Sequence, residues 1–303
     1  MDFPRDWYEA FTHKDCDRRQ WIQDTLAQNG IDSGIVATGD SRHVMVRFRP
    51  QAYDATFRFR TVLAHYDRFP GSPGANDNSS SVLGVIAWAL RLRNYRGAHN
   101  VRIFFTDGEE MGGEACAGVS SQGAYGLATL YRQLGITGDD VYVFDCCGRG
   151  DVPVLATCKL SQPNPRNPFT MRLASLTERT RQLLQRASPR KWLALPVPYS
   201  DNAGFLACGI PAVAITFLPA EEAGDYMRNL MKDKNLEATV MNRARQASLM
   251  QKEQAMPDFM YKEQMPLTWR LLHTEYDNML SLTPVSFALM ARILDVLAQQ
   301  RTA

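Results

Sequence analysis

The sequence predicts an α/β fold, a parallel or mixed β-sheet with helices on its faces. Two observations carry that prediction. Short runs of apolar, β-forming residues alternate with longer stretches whose apolar residues recur at helical spacing. The composition is that of a globular protein, 45% hydrophobic and 22% charged over 303 residues, with no internal repeat and no low-complexity tract.

Residues 5–28 read as one polar, surface-lying helix ended by Asn29-Gly30. Residues 35–37 and 44–48 read as short strands around the Gly39-Asp40 turn. A β-like run covers 61–65. Residues 81–94 form a helix with Val82, Val85, Ile86, Ala89 and Leu90 on one side and Ser79 or Ser80 as its N-cap. Residues 101–105 are a strand, 123–134 a helix, and 141–145 and 152–156 two further strands. A Pro-rich segment, 163–168, precedes a helix over 169–187. Residues 212–217 are the last core strand, and 284–299 the closing helix. One region breaks the alternation. Residues 219–270 hold seven of the thirteen methionines among many charges and show no strand. They read as a Met-rich helical insertion or cap within a single catalytic domain spanning residues 1–303.

Charge and cysteine usage narrow the function. Lys plus Arg is 34 and Asp plus Glu is 32, a net charge of +2, which gives no electrostatic case for nucleic acid or a membrane surface as the main partner. The longest apolar stretches, such as 82–90, fall well short of the ~20 residues of a membrane span. The first residues carry acids and interleaved aromatics with no apolar signal region, so a cytoplasmic location is expected. The six cysteines form no CxxC pair and are expected to be reduced and mostly buried.

Ligands of open α/β sheets gather at the carboxyl ends of the strands. The run at 61–64 is followed by His65-Tyr66-Asp67, and a loop then brings Gly74-Ala75-Asn76-Asp77-Asn78. Strand 101–105 leads into Thr106-Asp107-Gly108-Glu109-Glu110, strand 141–144 ends in Asp145, and His273 lies far downstream. Taken singly, each is ordinary: His-x-Asp a turn pair, Asp-Asn a cap, Glu-Glu solvated charge. Jointly, His65, Asp77, Glu110, Asp145 and His273 have the chemistry to hold two divalent cations, with zinc foremost and manganese or cobalt also compatible. One carboxylate can bridge two ions. Glu109, next to a ligand, is placed as general base toward a metal-activated water. Asp67 is placed to accept the second imidazole N–H of His65.

These segments resemble the zinc-dependent aminopeptidases of peptidase family M28. The matching stretches are AHYD (64–67), PGANDNSSSV (73–82), FFTDGEEMGG (104–113), FDCCGRGD (144–151), YSDNAGFLACGIPAVAI (199–215) and HTEYDN (273–278), collinear over residues 61–280. The resemblance implies a three-layer α/β/α sandwich around a central mixed, mostly parallel sheet, and a non-proline cis peptide after Asp77. It further implies that His65 and Asp145 hold one zinc ion, that Asp77 bridges to a second held by Glu110 and His273, and that Glu109 is the base. Two departures stand out. The His65 to Asp77 interval is only twelve positions, and Asn202 stands where relatives often have a histidine after Ser-Asp.

The activity implied is that of a metallo-aminopeptidase acting on peptides or small amides. The insertion is expected to overhang the site, narrow access and favour short peptides. Two alternatives share the chemistry: a metal amidohydrolase on a non-peptide amide, and a glutaminyl cyclase, which resembles a one-zinc site here made of Asp77, Glu110 and His273. A scaffold on an inactive peptidase fold is disfavoured because all six ligand and base positions are filled. Trp192, Tyr199 and Phe217 are candidates to line an apolar pocket beside the site. Oligomeric state has no signal in the sequence.

Overall fold

A computed structural model of the protein describes residues 4–110, 118–158, 162–241 and 262–301. Eight strands form one sheet: β1 (Asp32–Thr38), β2 (Ser41–Arg47), β3 (Arg60–His65), β4 (Val101–Thr106), β5 (Asp140–Phe144), β6 (Val152–Ala156), β7 (Leu193–Leu195) and β8 (Ala212–Leu218). Their order is β1-β2-β4-β3-β5-β8-β6-β7. The inner run β4-β3-β5-β8 is parallel. Antiparallel pairs flank it, β1-β2-β4 on one side and β8-β6 on the other. The sheet is therefore mixed with a parallel centre, as the alternation predicts.

Strands in a parallel centre are covered on both faces and read as continuous apolar runs. Every residue of β3, β5 and β8 is buried. Alternate residues of each strand serve opposite faces. Val62, Ile103, Phe105, Tyr142, Phe144, Ile215 and Phe217 join one core cluster with α1 (Arg5–Thr12), α2 (Arg18–Gln28), α3 (Ser80–Leu92), most of α5 (Pro168–Ala187) and α10 (Pro284–Gln299). Leu63, Phe104, Val141, Val143, Ala212 and Ala214 join the other, with α4 (Gly123–Gln133) and α6 (Asn202–Ala207). Helices thus cover both faces, and the fold class is the α/β one expected.

The structure differs from the sequence reading at four places. Residues 5–28 are two helices, because Asp17 accepts a hydrogen bond from Gln20 N (3.0 Å) and starts α2 afresh. They are not confined to the surface: Tyr8, Phe11, Ile22 and Leu26 are buried. Ser79 holds the N-cap position of α3, but its side chain makes no capping hydrogen bond. A turn over Ala75–Ser79 runs into it, and Ser79 donates its hydroxyl to Gly74 O instead (2.5 Å). Strand β7 and helix α6 were not anticipated. A three-residue edge strand and a six-residue helix are too short to show a period.

Within 219–270, the described residues form α7 (Ala220–Lys232), α8 (Lys234–Val240) and α9 (Leu267–Leu271), with no strand. Ala223, Tyr226, Leu236 and Val240 are buried with Val152, Val154, Leu195, Leu218 and Trp269 in a third cluster. Arg149 buckles the two ends of this region together. It pairs with Glu222 (2.9 Å) and donates to Thr268 Oγ1 (3.1 Å), and Glu222 accepts from Thr268 N (2.7 Å). Residues 242–261, with Met250, Met256 and Met260, lie outside the described residues. Cys16, Cys146, Cys147, Cys158 and Cys208 are free thiols, and Cys116 lies outside the described residues. No helix among the described residues is long and apolar enough to cross a membrane.

Candidate metal centre

Adjacent parallel strands end level with one another, and three of them carry the site. His65 is the last residue of β3, Asp145 follows β5, and the turn 107–110 follows β4. The turn Ala75–Ser79 brings Asp77 alongside, and the segment after α9 brings His273. The Asp77–Asn78 peptide is cis. Asn78 pins this turn to the end of β5, donating to Phe144 O (3.0 Å) and accepting from Cys146 N (3.2 Å).

The two oxygens of Asp77 face different histidines. Oδ1 is 3.1 Å from His65 Nε2, and Oδ2 is 3.3 Å from His273 Nε2. His65 Nε2 is also 3.5 Å from Asp145 Oδ1, and His273 Nε2 is 3.0 Å from Glu110 Oε2. Two donor triads result, His65/Asp77/Asp145 and Asp77/Glu110/His273, each with its ligand atoms within 4.8 Å of one another. His65, Glu109 and Glu110 form a third such group.

Supporting contacts fix these groups. Asp67 Oδ1 lies 3.5 Å from His65 Nδ1, and Asp67 Oδ2 accepts from Glu110 N (2.8 Å). Gln122 Nε2 donates to Glu109 Oε1 (3.0 Å). His273 adopts a left-handed backbone (φ 63°), a conformation disfavoured for a non-glycine residue and common at functional sites. Its ring stacks on Phe69, with centroids 4.5 Å apart and planes 5° from parallel. Buried Arg18 gathers the loop between His65 and Asp77, donating to Tyr66 O (3.1 Å), Pro73 O (2.8 Å) and Ser79 Oγ (2.9 Å).

The electrostatics are those of a site rich in carboxylates. Burial and the neighbouring Asp77 push Glu110 up to about 7. Burial opposes charge on His273, but hydrogen bonds to Asp77 and Glu110 raise it to about 11. His65 is raised well above the ordinary imidazole value in the same way: burial opposes, and Asp145 with Asp67 and Asp77 prevails. Burial also raises Asp201 to about 6. Its Oδ2 accepts from the Thr106 hydroxyl, at the end of β4.

The donor set fits divalent cations. His65 Nε2 and Glu110 Oε1 are buried without a hydrogen bond, so they call for another partner. A tetrahedron of Zn–N and Zn–O bonds of ~2.0–2.1 Å has edges of about 3.4 Å. The four histidine–carboxylate separations, 3.0, 3.1, 3.3 and 3.5 Å, bracket that edge. Nitrogen and oxygen donors in this ratio suit zinc.

All seven residues singled out from the sequence meet here: His65, Asp67, Asp77, Glu109, Glu110, Asp145 and His273. Gln122, Asp201, Asp277, Phe69 and Arg18 join them without having been foreseen. Asp201 and Asp277 at least lay inside the YSDNAGFLACGIPAVAI and HTEYDN stretches; the others had no signal. Asn202 is buried, and its Oδ1 accepts from Ser200 N (3.3 Å), a local turn contact. Of the three pocket candidates, Tyr199 lines a cavity of about 450 Å³ with Val119, Leu206 and Met241. Phe217 is core, and Trp192 donates to Gln185 Oε1 (2.8 Å).

The family model for peptidase family M28 matches residues 43–297. Among solved structures, the fold is similar to that of the Legionella pneumophila LapA aminopeptidase (TM-score 0.62, 16% identity, 97% of this chain and 69% of that one). It is similar to Porphyromonas gingivalis glutaminyl cyclase (TM-score 0.62, 16% identity, 98% of each chain). It is also similar to a zinc aminopeptidase from Bacillus subtilis (TM-score 0.51, 14% identity, 84% of this chain and 49% of that one). At such identities the likeness speaks for the fold. No curated protein matches the chain.

Proposed function

The chain belongs to peptidase family M28, and from that premise we propose that it is a zinc-dependent aminopeptidase removing N-terminal residues from peptides. The carrying observation is the Asp77 carboxylate, with one oxygen turned to His65 and the other to His273. In that arrangement His65 and Asp145 would hold one ion and Glu110 and His273 the other, with Asp77 facing both groups. When bound, the ions supply Lewis acidity, polarising the scissile carbonyl and drawing the pKa of a water toward ~7.

The chain's own residues do the rest. Glu109 takes a proton from the attacking water and passes it to the leaving amine, as a general base that then serves as acid. Gln122 orients it by holding Oε1. Asp67 keeps the His65 ring aligned through Nδ1. The insertion restricts the site to short peptides.

A second reading, glutaminyl cyclase, draws on the likeness to that enzyme over 98% of each chain. It requires Asp77, Glu110 and His273 but not His65 and Asp145 as ligands. Peptides beginning with glutamine separate the two. An aminopeptidase releases free glutamine, whereas a cyclase releases ammonia and leaves a pyroglutamyl peptide. Zinc content of about two ions per chain, with turnover of unblocked but not N-acetylated peptides, is the expected result. One ion with ammonia release replaces this reading by the second.

A further inference from the structure

We infer that Asp277 is a positioning residue that locks the Asp77 turn to the His273 loop and so sets the spacing between the two halves of the metal centre. This rests on the two-ion reading above. Three consecutive backbone N–H groups all donate to this one residue. Ala75 N bonds its carbonyl oxygen (3.0 Å), Asn76 N its Oδ1 (2.8 Å) and Asp77 N its Oδ2 (3.1 Å). The three partners lie 200 to 202 positions away in sequence, so the contact is purely tertiary.

Asp277 is rigidly tied to His273. Its N–H donates to Thr274 O (3.2 Å), and Thr274 in turn donates to Leu271 O from both N (3.3 Å) and Oγ1 (2.6 Å). A turn this tight moves as one piece, carrying the His273 ring with it. On its other side the Asp77 turn is held to β5 by Asn78. The bridging carboxylate is therefore clamped from both directions, by Asn78 toward the Asp145 half and by Asp277 toward the His273 half.

The choice of residue type supports positioning over simple packing. Asp277 is 1% exposed and stands among other carboxylates, where a further negative charge works against folding in the absence of cations. Only a carboxylate can accept from two adjacent amides with both of its oxygens; an asparagine of the same shape would turn an NH₂ against one of them. The arrangement favours the geometry of Asp77 over the stability of the metal-free chain.

The test uses the full chain, stripped with a chelator. Hydrogen exchange on the metal-free protein reads the amides of 75–77, and zinc titration against a chromophoric competitor reads affinity in the native chain and in Asp277→Asn. We expect the three amides to be protected before zinc is added. The variant is expected to bind zinc ~10–100-fold more weakly, the usual cost of losing an outer partner of a metal ligand, and to gain less in melting temperature per zinc added. A merely structural role would lower the metal-free melting temperature and leave zinc affinity unchanged, and that result overturns the inference. Rapid exchange of 75–77 that slows only when zinc binds overturns it as well, and this second reading needs no variant to fold. A native chain that binds no zinc sinks the two-ion reading instead, while the exchange data still report on the clamp.

Discussion

Glu109 and Glu110 are neighbours with different contacts, and the proposed function assigns them separate jobs that mutation should pull apart. Glu109 touches Gln122, whereas Glu110 faces His273. Glu109→Gln keeps size and hydrogen bonding but removes the base, so zinc content and folding should stay native while kcat falls by about 10²–10⁴-fold. Near-normal turnover in that variant would refute the base assignment. Glu110→Ala should lose one ion and Asp77→Ala both, as read by elemental mass spectrometry after re-equilibration with dilute zinc. The five donors were legible because each follows a β-like run or sits in a recognisable stretch, and parallel strands end side by side. Gln122 and Arg18 were not. Their contacts, to Glu109 and to the 66–79 loop, depend on how a helix start or a distant helix docks, which no local pattern encodes.

At the scale of the element, the N-terminus of α4 sets the height of the turn that bears Glu109. Gly123 N donates to Gly108 O (3.1 Å), and a Cβ at Gly123 would lie 1.8 Å from Asp107 O. Neither backbone can absorb that overlap without moving. Gly123→Ala should therefore displace the turn, costing about 1–3 kcal/mol of stability and up to ~10²-fold in kcat from a shift near 1 Å. Zinc content should fall less than activity does. Unchanged kinetics in a folded variant would show that the turn is not held from α4. Elements with a clear period or strong β runs were placed well, β3, β4, β5, β8 and α10 among them. The break at residues 13–17 escaped notice because the polar residues on either side hide the buried Tyr8, Phe11, Ile22 and Leu26. The first helix ends at Thr12, and the cap at Asp17 starts the second.

At the scale of the whole molecule, zinc should act as a folding partner. A ligand bound only by the native state stabilises it by RT ln(1 + [L]/Kd), about 2.7 kcal/mol per site at a free concentration of 100 Kd. Chelator treatment should lower the melting temperature by several degrees, and zinc should restore it. A melt indifferent to both would mean that the donors do not hold metal in solution. The packing of Tyr226 and Leu236 into the third core cluster decides how the insertion is to be probed. Excising residues 222–266 would open that core, so a series of peptides of increasing length against the native chain is the better measure of gating. Loss of turnover beyond a few residues is expected.

The long separation between the histidines carries a consequence for synthesis. His65 leaves the ribosome first, with Asp77, Glu110 and Asp145 behind it, and His273 follows only 128 positions after Asp145. A half-made chain has most of the donors and none of the closure. The proposed metal centre is therefore incomplete until the closing segment has been made and has docked.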